Sequence, residues 1–225
     1  MPSRLRPTAP FASDAVLVGD PGRALLLAQE LLEEPKMSNH ARGLWGYTGR
    51  TAGGEALTIQ STGMGGPSAA LVLSDLTELG VRRAIRVGSA VGAGGGAASG
   101  ELILVERGLA TAGSASSFGL AAGEEIEPDP GLTEALREAL GAAARAGAVA
   151  SFDSPLPVGD SHGPAIAADM QTVAILACAR TLGIAAATVL VVVEDDGPEA
   201  ISEDAREEAE RRAGRAAARA LAATP

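Results

Sequence analysis

The sequence predicts an α/β sandwich, with helices layered over one largely buried sheet. Three observations carry this. From residue 14 to 223, apolar runs of strand length alternate with stretches of helical periodicity. One run, AAATVLVVVED (185–195), is apolar almost throughout, the pattern of a strand buried on both faces. The chain has 225 residues, of which 46% are hydrophobic, enough for one sizeable core.

Residues 1–13 read as a flexible or loosely docked arm, and 14–225 as a single domain with no internal repeat or boundary. AVLV (15–18) is a strand and RALLLAQELLEE (23–34) a helix. LWGYTGR and EALTIQST, parted by TAGG, form a hairpin. SAALVLSDLTELG (68–80) is an amphipathic helix that stops at Gly80. RAIRVGSAVG (83–92) and ELILVERGLAT (101–111) are strands. A helix is expected over 130–147, with proline near its start and glycine at its end, followed by a strand over 148–154. A second helix is expected over 167–183 and the doubly buried strand over 185–195. The last helix, 202–223, has its acids early and its arginines late, as the helix dipole favours.

Composition removes several function classes. The net charge of −10 disfavours a nucleic-acid partner, and aromatics at 2% are too few for a base-stacking platform. No run of 18 or more apolar residues exists and the N-terminus has no long apolar core, so neither a membrane span nor secretion is expected. Cys178 is the only cysteine, which suits a reducing cytoplasm, and its apolar surroundings read as packing. With His40 and His162 it makes no metal-site spacing, so no metal is expected. Lys36 is the sole lysine among 18 basic residues, so nearly every cation is a guanidinium.

Five segments bear on chemistry. VGDPGRA (18–24), where a strand hands over to a helix, is either a plain turn or an oxyanion site made of free N–H groups and Arg23. GAGGGA (92–97) half-matches a dinucleotide fingerprint, but strand-like SGELILVERG follows where a helix is required, so a nicotinamide cofactor is rejected. STGMGGPSAA (61–70) is a glycine turn opening a helix, and RVGSA (86–90) sets an arginine and a serine at the carboxyl end of a strand. NHARG (39–43) adds another loop arginine. Each arginine alone reads as solvated; together, at the ligand-binding edge of an open sheet, they suggest a phosphate cage.

In this order GDPGR, ARG, TGMGGPS, IRVGSA, DMQ and VEDD resemble the purine nucleoside/uridine phosphorylase family over most of residues 14–223. The resemblance implies a three-layer α/β/α sandwich around a mixed, partly barrel-like sheet, in a homo-oligomer that is usually a hexamer built from dimers. It implies attack of inorganic phosphate on the anomeric carbon of a nucleoside, with phosphate as co-substrate and no other cofactor. By motif, Gly19, Arg23, Arg86 and Ser89 would bind phosphate, and Arg42 would reach the neighbouring subunit's site. Met64, Met170 and Gln171 would line the sugar pocket, with Phe152 near the base. Asp195 would protonate the departing base with help from Arg206; the plainer reading of Asp195 is an acidic loop residue beside Glu194 and Asp196.

The pattern also departs from the family. Glutamine stands at 171 where members carry a glutamate that binds the sugar hydroxyls. PLPVG follows AVASFDS where purine-cleaving members place a stacking aromatic, and the arm lacks the histidine that reaches a neighbour's 5′-hydroxyl. The short segment between Pro155 and Asp169 lacks the residues that read uracil, so a purine-like base is favoured over uridine. A nucleoside hydrolase and a degenerate member that only binds nucleoside or phosphate stand as alternatives to phosphorolysis.

Overall fold

The computed structural model describes residues 4–93, 96–111, 113–154, 163–195 and 201–224. Residues 94 and 95 of the GAGGGA run, the PLPVG stretch, His162 and Asp196 lie outside the described residues.

The strands are β1 (Asp14–Val18), β2 (Glu33–Asn39), β3 (Gly46–Arg50), β4 (Ala56–Ser61), β5 (Arg83–Gly92), β6 (Leu102–Ala110), β7 (Glu125–Ile126), β8 (Ala144–Ser151), β9 (Ala167–Asp169) and β10 (Ala185–Glu194). The helices are α1 (Pro21–Leu31), α2 (Gly66–Glu78), α3 (Pro130–Leu140), α4 (Thr172–Leu182) and α5 (Glu203–Ala223). One ten-stranded mixed sheet runs β10-β6-β8-β9-β5-β1-β4-β3-β2, with β7 on β6. A further parallel pairing of β10 with β5 closes β5, β10, β6, β8 and β9 into a ring. The rest of the sheet stays open, so the architecture is a layered α/β sandwich with a barrel-like end.

Strand alternation sorts the core into layers. Val16 and Val18 of β1, with Ile85 and Val87 of β5, face α1, α3 and α5. Ala15, Leu17 and Ala84 face α2 and α4. Inside the ring, Ala90, Ile103, Val105, Val149, Leu190 and Val192 fill the barrel. On β10, Ala186 to Val192 are all buried, as the continuous apolar run predicts.

Four expectations are corrected. The first helix ends at Leu31, because Pro35 disfavours helix for the residue before it, and 33–39 become the edge strand β2. The helix expected over 130–147 stops at Leu140; Gly141 turns with φ 55°, and Ala144 onward pairs with β6. Residues 167–169, expected to open a helix, instead form β9 between β5 and β8. The described part of the arm is docked rather than loose. Buried Asp75 accepts from the backbone N–H groups of Arg4 (2.6 Å) and Leu5 (2.9 Å), and the Leu5 side chain enters the core.

Candidate functional site

The GDPGR turn is built as a helix start. Asp20 caps α1 by accepting from the Arg23 N–H at 2.9 Å, and Pro21 fits the first helical position, where no donor is needed. This places Arg23 in the first turn beneath the end of β1. Its side chain is 4% exposed. Its Nη2 pairs with Glu210 Oε1 at 2.6 Å, while Nη1 lies 3.5 Å from the Val87 carbonyl oxygen and Nε has no partner among the described residues. A buried guanidinium holding an unused N–H is a donor without its acceptor.

Arg86 comes from β5, on the opposite face from Ile85 and Val87. Its Nη2 and Nε donate to Asp169 Oδ2 at 2.9 and 3.3 Å, and Nη1 donates to Gln171 Oε1 at 2.5 Å. Burial pushes its guanidinium below the ordinary arginine range; Asp169 opposes that shift and the like charge of Arg23 adds to it. Gly88 leaves room for this arrangement, since a Cβ there would meet the Arg86 guanidinium and stand 2.7 Å from Leu190 Cδ2. Asp169 is itself held by Ser151 Oγ (2.5 Å) and by the N–H (3.0 Å) and Oγ1 (2.7 Å) of Thr172, so the carboxylate that orients Arg86 is rigid.

The glycine turn after β4 completes the wall. Thr62 donates from its N–H to the Val18 carbonyl oxygen at 2.7 Å, which ties the turn to the end of β1. Gly63 and Gly65 have φ of 73° and 81°, a backbone region that favours glycine. Gln171 Nε2 donates to the carbonyl oxygens of Gly63 (2.6 Å) and Gly65 (3.2 Å), and a Cβ on Gly19 would lie 3.6 Å from Gln171 Oε1. Thus Gly19, Arg23, Arg86 and Gln171 gather at the carboxyl end of β1; Arg86, expected at the carboxyl end of its own strand, is instead the fourth of the ten residues of β5, level with Leu17 of β1.

The remaining candidates lie further out. Ser89 is half-buried, three residues beyond Arg86 on β5. Met64, at the tip of the glycine turn, is 90% exposed, and Met170 is half-buried between Asp169 and Gln171. Arg42 is exposed, with a left-handed φ of 60°. Phe152 packs on Leu109, Ala148, Ala150 and Ala165, and its N–H donates to the Asp169 carbonyl oxygen at 2.8 Å. Asp195, just past β10, accepts from the Ser99 N–H at 2.7 Å. Arg206, in the first turns of α5, donates from Nε to Glu210 Oε1 at 2.9 Å.

Two site residues escape sequence reading. Asp169 heads the DMQ segment but carries no signal of its own, since burial alone makes it an ion-pair partner. Glu210 sits in SEDAREEAERR among solvent-facing acids, and only its spacing of four from Arg206 hints at a contact. Cys178 is packed under α2, where burial pushes its thiol up to about 11, and its Sγ lies 3.6 Å from the Ala70 carbonyl oxygen. Among the described residues no group of three His, Cys, Asp or Glu is placed to hold a metal ion. Among them, too, no helix is long and apolar enough to cross a membrane.

The family model described as the phosphorylase superfamily matches residues 14–224. A purine nucleoside phosphorylase DeoD-type of Oceanobacillus iheyensis is 45% identical over 80 residues, covering 35% of this chain and 34% of that protein. Proteins of the same name from Clostridium perfringens (43% over 83 residues; 36% and 35%) and Caldanaerobacter subterraneus (41% over 80 residues; 35% and 34%) are similar. The match spans about a third of the length of these curated relatives. With the family model covering nearly the whole sheet and its helices, the chain belongs to the phosphorylase superfamily.

Proposed function

We propose that the protein cleaves a purine-like nucleoside with inorganic phosphate, releasing the base and a pentose 1-phosphate. The observation that carries this reading is the pair of buried guanidiniums, Arg23 and Arg86, beside two glycine turns at the strand ends. Arg23 has an N–H with no acceptor among the described residues. The relatives named as purine nucleoside phosphorylases supply the preference for a purine.

In this reading phosphate is held by the backbone at Gly19 and by Arg23, Arg86 and Ser89, with Arg42 arriving from a neighbouring subunit. Met64, Met170 and Gln171 bound the sugar, and Phe152 stands behind the base. A phosphate oxygen attacks the anomeric carbon as the bond to the base nitrogen breaks, and the base leaves with that electron pair. Asp195, assisted by Arg206, supplies the proton that the base takes up. The caged phosphate also faces the cationic character that develops on the sugar, so nucleophile and electrostatic stabilisation come from one ligand. No other cofactor is required. The protein would act in the cytoplasm as a dimer-based oligomer, with a hexamer expected.

Base release from a panel of purine and pyrimidine nucleosides and deoxynucleosides, with and without phosphate, tests this directly. Release that depends on phosphate, fastest with a purine, is expected. Equal release without phosphate would identify a hydrolase, and no release in either condition would reduce the protein to a binder.

A further inference from the structure

Glu210 is a buried carboxylate that the reaction scheme above does not use. It is 3% exposed, and its Oε1 receives both Arg23 Nη2 (2.6 Å) and Arg206 Nε (2.9 Å). We propose that Glu210 is the positioning residue of the anion site: it aims Arg23 at the ligand, sets the charge the ligand meets, and ties that arginine to Arg206. This inference rests on the reading of Arg23 as a phosphate ligand.

The geometry supports two separable effects. Among the described residues Arg23 has no other strong partner, since the Val87 carbonyl oxygen is 3.5 Å away. Glu210 therefore decides how the guanidinium is turned and which N–H stays unused. Without an acceptor at 210, Arg23 becomes an unpaired buried charge that must reorient or seek water. The second effect is electrostatic. The carboxylates of Asp169 and Glu210 oppose the positive charge that the two buried arginines present to an entering anion, with the half-exposed Arg206 sharing Glu210 from the outer side. Removing the charge of Glu210 while keeping an acceptor oxygen would leave Arg23 aimed and make the site more positive.

These effects give substitutions opposite signs. Inorganic phosphate is titrated calorimetrically into the full-length wild type, Glu210→Gln and Glu210→Ala, with thermal melts recorded alongside. Glu210→Gln should bind phosphate tighter, on the order of threefold or more. Glu210→Ala should bind it weaker, on the order of tenfold or more. If the alanine variant does not fold, tighter binding by Glu210→Gln still decides the matter. Wild-type affinity in Glu210→Gln, with only the melting temperature changed, would make Glu210 a structural ion pair and overturn the inference while leaving phosphorolysis standing. A wild type that binds no phosphate would overturn both.

Discussion

Gln171 shows how one side chain can be over-determined. Its amide oxygen accepts from Arg86 Nη1 and lies 3.3 Å from Thr62 Oγ1, whose nearest acceptor is the Val18 carbonyl oxygen; its amide nitrogen donates to the carbonyl oxygens of Gly63 and Gly65. Both N–H donors are thus spent on protein, and the orientation of the amide follows from Arg86 on one side and the glycine carbonyls on the other. A glutamate would keep the contacts to Arg86 and Thr62 but could donate to neither glycine carbonyl. We expect Gln171→Glu to lose about 1–3 kcal/mol in urea denaturation, because two acceptors would face a carboxylate in place of donors. Stability equal to or above wild type would show that the glycine turn does not depend on this amide. The residue type is plain in the sequence, where it reads as a weakened sugar ligand. Its work in holding the turn is not, because Gly63 and Gly65 lie more than a hundred residues away and meet it only after folding.

At the scale of elements, the contact between α1 and α5 is made by two ion pairs with an apolar contact between them. Arg23 meets Glu210, Leu27 meets Gly214, and Glu30 meets Arg215 with Oε1 2.6 Å from Nη1. The apolar contact sets how closely the helices approach. A Cβ at Gly214 would come within 2.6 Å of Leu27 Cδ2, and Leu27 is fully buried. Alanine favours a helix interior by about 1 kcal/mol over glycine, but overpacking a tight contact costs about 1–3 kcal/mol. We expect Gly214→Ala to lower the melting temperature and to weaken phosphate binding, because separating the helices pulls Glu210 from Arg23. A rise in melting temperature would mean that helix propensity outweighs the contact. The helix and its dipole-matched charges are legible in SEDAREEAERRAGRAAARALAA. Which of its acids faces inward was hidden, since Glu207, Glu208 and Glu210 look alike until α1 is laid against them.

At the scale of the whole molecule, Arg42 is the proposed phosphate ligand that this chain exposes instead of burying. It sits with φ 60° in a short turn between β2 and β3, at the outer edge of the sheet, with Trp45 and Met37 exposed nearby in sequence. A residue that serves a neighbour's site should be rescued by mixing. Arg42→Ala and Arg86→Ala subunits, each inactive alone, should recover about a quarter of wild-type activity after co-refolding, because half of the random dimers carry one intact site. No recovery would return Arg42 to its own subunit's site or to no site.

Local chemistry settled much of this protein before any contact was known. The alternation of apolar runs with helical periods requires an α/β sandwich, since each amphipathic face needs a layer to cover it. The Asp-Pro-Gly-Arg order starts a helix under a strand end because each residue suits its position there, and the glycine turns follow from the positive φ they adopt. Pairings between distant segments were decided only by the tertiary structure. Ala144–Gly147 and Ala167–Asp169, read as helix in the sequence, become strands because backbone partners on β5, β6 and β8 close the ring. Arg86 finds Asp169 and Arg23 finds Glu210 for the same reason. A buried charge takes its partner from whatever the fold brings within reach, and sequence spacing encodes that reach only within a single helix or strand.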